Sequence, residues 1–336
     1  MLERARHTPA RLPAGHPPVL LVVVDTEEEF DWSRPFDRSS TETSSIAAQP
    51  HIHERIFDRY GIVPTYCVDW PVATTPASVA TLRQLMEAGR CEIGTHLHPW
   101  VCPPHEEEVN TFNSYAGNLP PDLEYRKLEN MTRAITKNFG RAPITFKAGR
   151  YGVGPQTAAS IARLGYRIDA SVVPRTAFKA DGGPDFTASD EQPFWFPVGD
   201  ARLLELPVTT AYCGLARAAG PALFPALQGS LARSLRLGGI AARTGLLERI
   251  RLTPEGCDPA DLVRLMDTLH GAGCQVFSLT YHSPSLAVGH TPYVRDAAAL
   301  ERFLTTVEQV CRHFAERLGG TFMSLSALHE RLSARP

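Results

Sequence analysis

The strongest constraint on this chain is a rhythm. Short runs rich in β-branched residues alternate with longer segments of helical spacing, and glycine closes most of the latter. Residues 19–25, 62–68, 91–95, 144–148, 166–171, 203–208, 274–281 and 321–323 read as strands. Residues 46–60, 77–88, 123–139, 155–164, 259–270 and 295–318 read as helices, with Gly61, Gly89, Gly140 and Gly165 just past four of them. A strand that must return through a helix to the same sheet does so in parallel, so the order predicts βαβ units. Seven or so such units without a break in composition predict one α/β domain over residues 18–333. The expected architecture is an irregular, incompletely closed (β/α)7 barrel. Residues 1–17 read as a mobile tail ending at Pro17-Pro18, and residues 99–121 and 174–200 as long loops.

One segment departs from the rhythm. Residues 213–250 carry five arginines, a single acid and many Ala and Leu, a composition that fits a basic helical insertion. It reads either as a peripheral membrane-surface contact or as an excursion packed on the barrel.

A formal net charge of −2 over 336 residues gives no general attraction to nucleic acid. Seven scattered cysteines form no C-x-x-C pair, which argues against a disulfide framework and a thiolate zinc site. The N-terminal residues lack an apolar core of the signal-peptide kind, and the run 19–24 is too short to span a bilayer. These features predict a cytoplasmic protein.

In parallel α/β folds the chemistry gathers where strands end. Here the strand ends are followed by Asp25 and Glu27, by His96 and His98, by Arg150, by Asp169 and by His282. Residues at i and i+2 of an extended backbone share a side, so His96 and His98 can reach one ion together. With a carboxylate from the first strand they would form a His₂-carboxylate site suited to Zn²⁺ or a similar divalent ion. The stretch VDTEEEF crowds four acids into five positions, a repulsion that a cation offsets. One acid of the Asp25/Glu27 pair can bind the ion while the other serves as base. Glu28 and Glu29 read as a solvated loop face.

This constellation resembles the NodB-like polysaccharide deacetylases, carbohydrate esterase family 4, over about residues 19–330. The resemblance implies Asp25 as catalytic base and Glu27 as the metal-binding acid, with Thr26 where a second Asp is usual. GTHLHPW supplies His96 and His98 with one residue between them, the spacing of a WalW-like branch; His105 is a spare ligand. KAGRYG places Arg150 as the cation that pairs with the base, GYRIDAS places Asp169 as a supporting acid, and LTYH places His282 as general acid, tuned by Asp169. The resemblance further implies a divalent cofactor, zinc first and then cobalt or nickel, and an N-acetylated carbohydrate substrate. Trp100, Tyr151, Trp195 and Tyr281 lie near these motifs and are candidates to stack on a sugar ring. Two other readings remain open at this stage: a hydrolase of a small cyclic amide or formamide, and a carbohydrate-binding protein without activity.

Overall fold

The structure, a computed structural model, describes residues 3–31 and 33–334. Its frame is a sheet of ten strands among the described residues. Seven of them run parallel in the order β7-β1-β2-β3-β4-β5-β6: β1 (Val19–Thr26), β2 (Thr65–Val68), β3 (Glu92–Leu97), β4 (Thr145–Ala148), β5 (Ile168–Asp169), β6 (Ala201–Glu205) and β7 (Val276–His282). Every residue of β1 is buried, as expected of a strand covered on both faces, and this explains its unbroken VLLVVV run. Thr321–Phe322 adds to the start of β1, also in parallel. Helices return the chain between strands. Pro121–Phe139, for example, buries Leu128, Met131, Ile135 and Phe139 at helical spacing and ends at Gly140, whose φ of 77° suits glycine.

Among the described residues no ladder closes the barrel. Between β6 and β7 the seam is bridged by other groups. Thr209 Oγ1 accepts from the Ser278 amide at 2.7 Å, and the Leu252 carbonyl accepts from the Thr280 amide at 3.1 Å. Lower down, Gln192 Oε1 accepts from the amides of Gln275 and Val276 while its Nε2 donates to the Val276 carbonyl. Hydrophobic contacts run without a break from β1 to the helix Ala297–Glu316, so the chain has one main core.

Three expectations need correction. The tail is tied down over part of its length: Thr8–Pro9 pairs antiparallel with the strand Phe194–Val198, and Ala10 and Leu12 are buried, because an apolar step every second residue lets the segment cover a sheet edge. Residues 1 and 2 of that tail lie outside the described residues. The supposed loop at 174–200 contains Phe194–Val198, which forms a hairpin with β6. Finally, the 213–250 insertion is rooted in a separate two-stranded sheet, Thr210–Cys213 with Glu248–Arg251. Between those strands lie three short helices, Gly220–Leu227, Ser230–Ser234 and Leu237–Arg243.

Candidate active site

Register puts the chemistry in one row at the C-terminal strand ends. His282 pairs with Asp25 across β7 and β1, and His96 pairs with Lys147 across β3 and β4. Above them opens a cavity of about 330 Å³ lined by Asp25, Glu27, His96, His98, Arg150, Tyr151 and His282, with Phe30, Phe36, Tyr115, Phe178 and Tyr293 as aromatic walls and Arg34 and Arg251 beside them.

Glu27, His96 and His98 are buried, and one ligand atom from each lies within 4.8 Å of the others. Glu27 Oε2 stands 3.6 Å from His96 Nε2 and 3.4 Å from His98 Nε2. The outer nitrogens decide the tautomers. His96 Nδ1 faces the Lys147 carbonyl at 3.1 Å and so carries hydrogen, and His98 Nδ1 faces Glu28 Oε2 at 2.7 Å and carries hydrogen when Glu28 is ionised. Each Nε2 then turns a lone pair toward the Glu27 carboxylate. Burial pushes both imidazoles below their usual range, His98 to about 4, which keeps them neutral as ligands must be. Burial also pushes Glu27 up to about 7, and its Oε1 has no hydrogen-bond partner among the described residues. Two imidazole lone pairs and a carboxylate oxygen converge there, an arrangement relieved by the proton that the raised Glu27 holds or by a cation that replaces it. This donor set, two nitrogens and one oxygen with room for further ligands, fits a divalent ion of the zinc type.

Glu28 is the largest correction to the sequence reading. It is fully buried, not solvated: it holds His98 Nδ1 and accepts from Trp100 Nε1 at 2.8 Å, and its amide donates to Asp69 Oδ2 at 2.7 Å. The strand ends at Thr26, so the alternation that would send Glu28 away from the site no longer applies. Glu29 is also partly covered, bonded to Ser44, to the Ser45 amide and to His290. A carboxylate behind a ligating imidazole orients the ring and raises its basicity, and losing such a partner costs about 10–100-fold in metal affinity. Glu28→Ala is thus expected to weaken metal binding by that factor, measured by competitive chelator titration. Gly149→Ala is expected to act in the same direction, since a Cβ there would meet His98 Cδ2 and the Leu97 carbonyl at 2.4 Å. Unchanged affinity in both variants would remove His98 from the ligand set.

Asp25 is nearly inaccessible. Its Oδ1 lies 2.5 Å from Lys147 Nζ, which also donates to Thr280 Oγ1 at 2.8 Å. Burial alone would raise the Asp25 pKa, but the Lys147 ammonium, with His96 and His282, outweighs it and the carboxyl titrates below its ordinary value. Arg150 was the expected partner, and the structure places it elsewhere. Arg150 and Tyr151 adopt successive left-handed conformations, φ 53° and 59°, which swing the guanidinium out over Tyr115 and toward Ser114 Oγ and Asp181. It lines the cavity wall instead.

His282 has its Nδ1 2.7 Å from Glu255 Oε2, and its Nε2 faces Asp25 Oδ2 at 3.8 Å. Burial would depress this imidazole, yet Glu255, Glu27 and Asp25 more than offset that and hold its pKa well above the ordinary value. The supporting acid is therefore Glu255. Asp169, expected in that role, is buried on β5, where it accepts from Ser171 Oγ at 2.6 Å and stands beside Glu205 in register.

Among the aromatic candidates, only Tyr151 lines the cavity. Trp100 is buried and stacks on His98, centroids 4.2 Å apart, so it backs a candidate ligand and not the cavity. Tyr281 alternates away from Thr280 and His282 and packs on Phe303 in the core. Trp195 lies on the Phe194–Val198 strand under Arg202 and against His329. His105 is exposed and takes no part in the buried triad.

No protein-family model matches this chain, and no curated protein matches it. Solved structures do. A candidate polysaccharide deacetylase from Mycobacterium smegmatis superposes with a TM-score of 0.53 at 19% identity, over 98% of this chain and 99% of that one. The Puue allantoinase gives a TM-score of 0.55 at 14% identity, over 96% and 93%. The fold is a NodB-type (β/α) barrel. A 4-alpha-glucanotransferase from Thermococcus litoralis shares it with a TM-score of 0.51 at 12% identity, this chain spanning 41% of that protein. One barrel thus carries different chemistries, and the activity has to be argued from the side chains.

Proposed function

We propose that this protein is a metal-dependent deacetylase that removes an acetyl group from an N-acetylated sugar of a cell-surface polysaccharide or its precursor. The observation that carries the reading is the pairing of opposites at the end of β1 and β7. An ionised, lysine-held Asp25 and a protonated, glutamate-held His282 stand side by side next to the Glu27, His96 and His98 cluster. A base and an acid kept in opposite protonation states beside a cation site are what amide hydrolysis requires. A pure binding protein needs neither.

Glu27, His96 and His98 would hold the ion, zinc by preference, with cobalt or nickel as alternatives. When bound, it supplies Lewis-acid polarisation of the acyl carbonyl and lowers the pKa of a water molecule. The chain's own residues do the rest. Asp25 accepts the proton of the attacking water, and Lys147 keeps it ionised to do so. His282 donates from Nε2 to the departing nitrogen, and Glu255 keeps it protonated. Tyr151 and Phe178, both partly exposed on the cavity wall, are the aromatic rings a sugar would meet, while Tyr115 lies buried beneath Arg150. Arg34, Arg150 and Arg251 around the same cavity favour a sugar that carries an acidic or phosphoryl group. The single residue between the two histidines supports a place in the WalW-like branch.

The test is acetate release from a panel of N-acetylated neutral and acidic sugars. One second reading has an observation in its favour: a cavity of about 330 Å³ suits a small cyclic amide as well as a single sugar ring. Turnover of allantoin or a formamide without release of acetate would select it.

The acid role of His282 has a pH signature. Activity is lost as pH rises through the His282 pKa, so the alkaline limb of kcat/KM is expected above the ordinary imidazole value. Glu255→Gln removes the largest raising influence and leaves only Glu27 and Asp25 to oppose burial, so the limb is expected to move down. An alkaline limb unmoved by that substitution would assign it to another group.

A further inference from the structure

The helical excursion between Cys213 and Glu248 is at odds with a surface meant only for water. Seven of the ten exposed large apolar side chains among the described residues belong to it, including Leu215 at 86%, Leu231 at 73%, Leu235 at 56% and Ile240 at 54% exposure. Its helices are tacked to their own hairpin by Ala232, Ala241 and Leu247, and by Phe224 against Tyr212, with ring centroids 5.3 Å apart. The leucines are not needed for that packing. Residues 214–247 contain four arginines, 217, 233, 236 and 243, all exposed, and no Asp or Glu. Exposed leucines interleaved with arginines and free of acids form a surface that is apolar and cationic together.

We infer that this excursion docks the protein on the anionic surface of a lipid bilayer, its leucines entering the boundary between headgroups and acyl chains and its arginines meeting lipid phosphates. Charge complementarity selects this occupant. A second copy meeting the same patch by two-fold symmetry would set these arginines against their own counterparts with no acid to relieve them. Attachment would be peripheral, since no helix among the described residues is long and apolar enough to cross a membrane. The placement also connects to the site. The returning strand Glu248–Arg251 ends at Arg251, a wall of the cavity. Only Arg249 and Ile250 separate Arg251 from the root of the excursion at Glu248, three steps that span roughly 10 Å of extended chain. Docking would hold the cavity mouth near the headgroup plane, where a lipid-carried sugar precursor would be presented.

Co-sedimentation of the full chain with vesicles tests this, using phosphatidylcholine alone and phosphatidylcholine mixed with phosphatidylglycerol. Binding to the mixed vesicles is expected, falling with added salt. The double substitution Leu231→Glu/Leu235→Glu is expected to weaken it at least about tenfold, and so is Arg233→Gln/Arg236→Gln. Both pairs are exposed, so acetate release from a soluble substrate should not change. Lack of binding to the mixed vesicles, equal binding to the neutral ones, or equal binding by the variants would overturn the inference. So would a dimer in sedimentation equilibrium that Leu231→Glu/Leu235→Glu dissociates, since that makes a second copy the occupant. Asp25→Asn should bind vesicles like the parent protein, which keeps this test independent of the deacetylase reading.

Discussion

Asp25→Asn is expected to lower kcat by about 10²–10⁴-fold while leaving the metal content intact. An amide has almost the shape of a carboxylate but cannot accept the proton of the attacking water. The change also leaves Lys147 buried without its counter-charge, so a second variant is needed to separate chemistry from folding. Asp25→Asn/Lys147→Met removes both charges of the pair at once. If the defect is chemical, the double variant folds and remains inactive; if it is only an unpaired ammonium, the double variant recovers activity together with stability. Glu27→Ala, by contrast, is expected to lower metal content first. Were Asp25→Asn to lose the ion and Glu27→Ala to keep it, the roles of the two acids would be exchanged.

His282→Ala is expected to cut turnover of an N-acetyl amide by about 10²–10⁴-fold with metal content unchanged. An amine leaves only if it is protonated, and His282 Nε2, aimed at Asp25 across neighbouring strands, is the donor placed to do it. An activated aryl ester leaves without a proton, so its hydrolysis should suffer far less. Equal losses on amide and ester would make His282 a binder of the oxyanion, and loss of the ion would make it a ligand.

Much of this site could be read from strand ends. Asp25, Glu27, His96, His98 and His282 follow apolar runs directly, and alternation puts each i, i+2 pair on one side. The supporting groups follow no such rule. Lys147 did leave a signal, a lone cation inside the apolar run ITFKA, and a buried lysine needs a buried acid. Glu28 was hidden because it lies two residues past Thr26, the last residue of the strand, where neither alternation nor composition says which way a side chain turns. Glu255 lies in the irregular turn LTPEGCDP, where no periodicity says which way a side chain points. Arg150 depends on a left-handed pair of residues that are not glycine, which no propensity would anticipate. The barrel itself was legible because burial on both faces makes parallel strands read as solid apolar runs. The Phe194–Val198 and Thr210–Cys213 strands were not, since each pairs antiparallel and falls outside the strand–helix rhythm.

The central claim is that Glu27, His96 and His98 hold a divalent ion without which this chain cannot cleave an N-acetyl sugar. It is tested most directly by measuring acetate release after chelation and again after stoichiometric Zn²⁺ is returned, in the parent protein and in Glu27→Ala. The account predicts silence after chelation, recovery with zinc in the parent, and no recovery in Glu27→Ala. Acetate release that survives chelation, or that zinc restores equally in Glu27→Ala, would contradict it.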